Sequence, residues 1–169
     1  MTIKNRIVEL KTVKASELLS NPKNWRMHPK SQETALKGVL SEIGFTDAVL
    51  ARETKDGLML IDGHLRKDVA PDSDIPVLVL DVTAKEADKI LATHDPLGAM
   101  ADTNQDMLDD LLEGLKFKNK DAQELLLQLN SLEHYQEMAD DADGVEFDES
   151  IADTVKTVSC PECSHVFPV

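Results

Sequence analysis

An apolar run, Leu58-Met59-Leu60-Ile61, stops at Asp62-Gly63, and His64-Leu65-Arg66 then opens a helical pattern. The segment therefore reads as a strand joined through one glycine to a helix. The junction also has a chemical consequence. It aims unpaired backbone N–H groups and the positive end of a helix dipole at one spot. Gly63 has no side chain to hold a ligand off the main chain. Arg66 adds a planar fork matched to phosphate oxygens. Together they read as an anion site, for a nucleotide phosphate in the first instance. The same residues also read as an ordinary Asp-Gly turn followed by a polar helix start.

The flanking segments extend the pattern. Upstream lies Leu18-Leu19-Ser20-Asn21-Pro22-Lys23-Asn24-Trp25-Arg26-Met27-His28-Pro29. A helix is expected from Ser31 to Ile43, ending at Gly44. Strands follow at Ala48–Arg52 and Leu58–Ile61, with a turn at Lys55-Asp56-Gly57, and a further strand at Ile75–Leu80. Thr83 and Glu86 are spaced as a capping box for the next helix.

This ordered set resembles the N-terminal domain of the ParB/sulfiredoxin superfamily. The features that carry it are the Asn-Pro-x-Asn-x-Arg-x-His-Pro segment from Asn21 to Pro29, the helix ending in Ile43-Gly44-Phe45, the Asp62-Gly63-His64-Leu65-Arg66 turn, and the strand Ile75 to Val82. The resemblance spans residues 6–95 and implies a small α/β (α+β) domain: a mixed sheet with helices, whose Gly-x-x-Arg turn holds nucleotide phosphates. ParB proteins bind CTP there, and sulfiredoxins bind ATP. Carried over by position, Gly63, His64 and Arg66 become phosphate contacts, and Asn24-Trp25-Arg26 lies near the same pocket. Arg26 then supplies a second cation to a triphosphate, and Asn24 a hydrogen bond to base or ribose. Both also read as a turn bearing a surface arginine. A magnesium ion would bridge the phosphate oxygens, with Asp62 positioning its waters or serving only as the first residue of the turn.

Two departures limit the transfer. Sulfiredoxin's reactive cysteine follows the motif glycine; here that position is His64, so thiol chemistry on oxidised cysteine is not carried over. Chromosome-partitioning ParB proteins carry a Glu-Asn pair and an arginine on a later helix. The corresponding stretch here, Leu91-Ala92-Thr93-His94-Asp95-Pro96-Leu97-Gly98, has no arginine, and Pro96 is expected to interrupt the helix. CTP-driven clamp formation is therefore not carried over, and the long basic helix-turn-helix portion is missing.

Charge divides the chain. Residues 1–70 hold 12 Lys and Arg against 9 Asp and Glu, a net +3; residues 71–169 hold 6 against 23, a net −17. Duplex binding draws on counterion release by a positive surface, so DNA is expected at the N-terminal half if anywhere. The acidic half reads as solvated surface. No apolar run is long enough to span a membrane, and Met1-Thr2-Ile3-Lys4-Asn5-Arg6 has no secretory h-region. A cytoplasmic protein is expected.

Residues 96–138 read as a helical extension. Met107, Leu108, Leu111, Leu112 and Leu115 recur at helical spacing, and Leu125, Leu126, Leu129 and Leu132 form a second stripe. That stripe either packs on the α/β domain or forms a homodimer. Residues 139–156, with Asp140, Asp141, Asp143, Glu146, Asp148 and Glu149, read as an acidic linker. The tail, 157–169, carries Cys160-Pro161-Glu162-Cys163 and His165. Two thiolates three residues apart can share one Zn2+, as in the first knuckle of a zinc ribbon, with His165 a third ligand. No second Cys pair is present, and such pairs also occur as metal-free turns or redox couples.

Three functions are open at this point. The first is a nucleotide-triphosphate-binding ParB-like domain in a DNA-related system, of the stand-alone kind carried by phages or mobile elements. The second is a ParB-like nuclease with Asp62 and His64 as catalytic groups, assisted by Arg66 and His28. The third is an adaptor that docks a DNA-modifying or DNA-packaging partner through its helices or tail.

Overall fold

The computed structural model describes residues 2–129, 157–159, 163 and 166–168. The chain divides into two compact units, 1–130 and 131–169.

The first unit is built on a four-stranded sheet of β1 (Ile7–Lys14), β2 (Val49–Thr54), β3 (Gly57–Asp62) and β4 (Asp74–Leu80), in the order β1-β4-β2-β3. β1 runs antiparallel to β4 and β2 antiparallel to β3, while β2 and β4 are parallel. Helices α1 (Lys30–Glu42), α2 (His64–Val69), α3 (Ala84–Ala99) and α4 (Gln105–Leu112), a further helix, α5, over 120–129, and a short 3-10 turn at Ala15–Glu17 complete the described elements of this unit. The expected mixed α/β architecture is what the chain adopts.

Alternation sets which face of the sheet is buried. Val49 and Ala51 of β2, Leu60 of β3, and Ile75, Val77 and Val79 of β4 point into one core with Ala15 and Leu18. Because this is a period-2 pattern, a one-residue slip would turn all of them to solvent. β1 was not anticipated as a strand. Its Ile7, Val8 and Leu10 are exposed, so its sequence lacks a clean buried face, and pairing with β4 rather than burial defines it.

α3 begins with the expected capping box: Thr83 Oγ1 accepts from the Glu86 N–H, and Glu86 accepts from the Thr83 N–H at 2.8 Å. Arg6 adds a two-pronged pair to the Glu86 carboxylate, at 2.9 and 3.2 Å. The Arg6 guanidinium and the Thr83 donors hold Glu86 down at about 2. Pro96 does not interrupt this helix, which continues to Ala99. Proline removes one i→i−4 donor, leaving the carbonyl of Ala92 without its helical partner. Ala92 is exposed, so water can take that carbonyl, and the bonds on either side keep the helix going.

The second leucine stripe packs less than its spacing implies. Ala122 is fully buried, whereas Leu125 and Leu129 are exposed. α5 instead meets α1 where Gly38 leaves room: a Cβ there would collide with Asn119 and Ala122.

Of the second unit, β5 (Thr157–Ser159) and β6 (Val166–Pro168) form an antiparallel hairpin, and Cys163 is exposed. The acidic linker, Leu132, Cys160 and His165 lie outside the described residues.

Candidate functional site

β3 carries Leu60 and Ile61 into the core and delivers Asp62 at its end. Gly63 then turns the chain at φ +94 and α2 begins at His64. Glycine is required here for two reasons internal to the fold. The left-handed conformation strains any side chain, and a Cβ would collide with Val49 of β2.

His64 is buried, and its Nε2 accepts a hydrogen bond from the Asn21 backbone N–H at 3.1 Å. That bond ties the Asn21–Pro29 segment to the turn. Burial pushes the imidazole below its ordinary value, outweighing the pull of Asp62 and Asp68. A neutral ring with Nε2 already engaged cannot use that nitrogen as a base.

Arg66 lies one turn further on. Its Nη2 is 2.7 Å from Asp47 Oδ2, and its Nη1 is 3.3 Å from Asp62 Oδ2. Arg26 faces it from the upstream loop. Arg26 Nε is 2.7 Å from Asp95 Oδ2 of α3, but the N–H is not aligned for a hydrogen bond, and Nε is shielded from solvent. The guanidinium also stacks over Trp25, 5.0 Å from the ring centroid, and the Trp25 indole N–H donates to the Leu91 carbonyl.

These groups surround one cavity of about 1020 Å³. Asn24, Arg26, Asp62, Gly63, His64 and Arg66, named from two stretches of sequence, all line it. His28 lines it too, its Nδ1 2.9 Å from Gln32 Oε1. α1, α3 and α5 close the remaining sides. His94 and Asp95 are the residues that sequence reasoning passed over. Their donor atoms and that of Asp62 all fall within 4.8 Å of one another. The adjacent His-Asp pair was visible in the sequence, but the approach of Asp62 is a tertiary contact that no spacing rule reveals.

No protein-family model and no curated protein matches the sequence. Among solved structures, the chain is similar to the C-terminally truncated chromosome-partitioning protein ParB from Caulobacter crescentus complexed with CTP-gamma-S. The TM-score is 0.52 at 18% identity, over 63% of this chain and 61% of that one. The fold is ParB-like. The chain spans about three-fifths of that neighbour's length. A second neighbour, a Pnob8-like ParB-N domain, aligns over 98% of this chain and 59% of its own, at a TM-score of 0.45 and 12% identity. Among the described residues, no helix is long and apolar enough to cross a membrane.

Proposed function

We propose that this chain binds a nucleoside triphosphate, CTP or ATP, in the cavity beside Gly63, within a DNA-related system of the phage or mobile-element kind and in the cytoplasm. The observation that carries the reading is convergence. A left-handed glycine turn, two arginines and an asparagine from separate segments face one space large enough for a nucleotide. The fold likeness to a ParB protein complexed with CTP-gamma-S supports it. Arg66 and Arg26 take the phosphates, with the N–H groups around Gly63 alongside, and Asn24 meets the base or ribose. Magnesium would bridge the phosphate oxygens.

A nuclease is less well supported. It asks His64 to move a proton, and that ring is buried, pushed toward neutrality and bonded through Nε2 to Asn21. The −17 charge of residues 71–169 also opposes a polyanion.

Calorimetric titration against the four ribonucleoside triphosphates with Mg2+ tests the proposal. One or two nucleotides should bind with a stoichiometry of about one. Failure of all four to bind overturns it.

A further inference from the structure

Among the described residues, the cavity that should receive a triphosphate has no spare positive charge. Its cations are Arg26, Lys30 and Arg66, set against Asp62, Asp95, Asp121 and Glu124. Each of the three cations already faces a carboxylate: Arg26 faces Asp95, Arg66 faces Asp47 and Asp62, and Lys30 pairs with Glu33 at 2.8 Å. Asp62 and Asp95, the carboxylates that hold the two arginines, are also the ones that meet at His94. Charge neutralisation accounts for both carboxylates. It does not account for the imidazole of His94, whose Nδ1 lies 3.5 Å from Asp95 Oδ1.

We propose that Asp62, His94 and Asp95 form a divalent-cation site that the protein fills on its own side chains, without a nucleotide. One imidazole with two carboxylates suits Mn2+, Fe2+, Co2+ or Zn2+ better than Mg2+, which favours all-oxygen shells. Bond lengths of about 2.1 Å set neighbouring donor atoms about 3 to 3.5 Å apart. The present spread, within 4.8 Å, closes by side-chain rotation. His94 is half-exposed, so its rotation meets little resistance. Three protein donors leave the remaining coordination positions open toward the cavity. Such an ion would draw Asp62 off Arg66 and Asp95 off Arg26, leaving two guanidiniums for an incoming anion. The site itself does not depend on the nucleotide reading, which can fail without it.

Mn2+ is the probe, because it favours oxygen and imidazole donors over the thiolates of the tail. Nucleotide-free full-length protein is titrated with Mn2+ and followed by electron paramagnetic resonance, with electron spin-echo detection of 14N coupling. The wild type should bind one ion tightly, above the weak background of the acidic segment, with imidazole nitrogen modulation. His94→Ala should abolish the modulation and weaken binding at least tenfold. Asp62→Asn should weaken binding at least tenfold and keep the modulation. Bound Mn2+ with no nitrogen coupling in the wild type overturns the site, whatever the variants do. So does coupling that survives His94→Ala.

Discussion

The cavity has two unlike walls. On one side, Gly63 and His64 are fixed by the protein's own packing: the glycine by its φ and by Val49, the histidine by burial and the Asn21 N–H. On the other side, Arg26, His94 and Asp95 are partly exposed, and Arg26 spends its charge on Asp95, with the His94 ring beside that carboxylate. The first wall would be needed for folding if no ligand existed. The second has little to do for the fold, so its composition is better explained by what enters the cavity. A motif residue can thus sit at a binding site and still owe its identity to packing, whereas a charged pair across a cleft records the ligand more directly.

The largest expected effect lies in the first wall. Gly63→Ala should destabilise the domain by about 3 kcal/mol, combining left-handed strain with overpacking against Val49. Denaturant midpoints measure it. Arg26→Ala should shift the same midpoint only slightly, and an equal loss in the two variants would erase the distinction between the walls. Next comes Arg66→Ala, which should cost about 2 kcal/mol of triphosphate binding, or more than roughly tenfold in affinity. Calorimetry checks it, and unchanged affinity removes Arg66 from the site.

A pH experiment separates packing from function at His64. Its folded pKa is pushed down by burial, so the unfolded chain takes up the proton more readily. Stability is therefore full above the ordinary value of 6.5 and falls as the pH drops through it toward the folded value. His64→Gln offers an amide oxygen to the Asn21 N–H without titrating, and should flatten this slope in urea titrations between pH 5 and 7. An unaltered slope would place the acid sensitivity elsewhere. The smallest effect is expected at Asp47, an exposed partner of Arg66. Asp47→Asn should raise triphosphate affinity by roughly twofold, the size expected for an exposed ion pair. A loss of affinity would mean that Asp47 orients Arg66 rather than competing for it.

Local chemistry was legible in the sequence where it was self-contained. The strand–glycine–helix junction, the turn at Gly57, the stop at Gly44 and the Thr83–Glu86 box each depend on residues a few positions apart. What escaped depends on partners far along the chain. β1 exists because β4 offers it a ladder, not because its own alternation is clear. Pro96 was weighed by local propensity, and the helix tolerated it. Trp25 and Arg26 looked like turn residues until Leu91 and Asp95 of α3 arrived beside them. The cysteine tail rests on its spacing alone. Zinc analysis of chelator-free protein would test that assignment, and freely titratable thiols without metal would dismiss it.

The pairing of β1 with β4 also sets the order in which the protein can be made. Ile7–Lys14 leaves the ribosome early, but its ladder partner, Asp74–Leu80, emerges some sixty residues later. At about 5–20 residues per second, that is a wait of several seconds. During this interval β2 and β3 can close their hairpin, yet Ile7, Val8 and Leu10 have no strand beside them. Arg6 waits longer still, for Glu86. Since His94 and Asp95 follow on the same helix, the nascent chain can assemble the glycine wall of the cavity before these two residues of the charged wall have been synthesised. Slowing translation before Leu80 emerges would lengthen the life of this half-built sheet, whose unpaired edge can be captured by a neighbouring nascent chain.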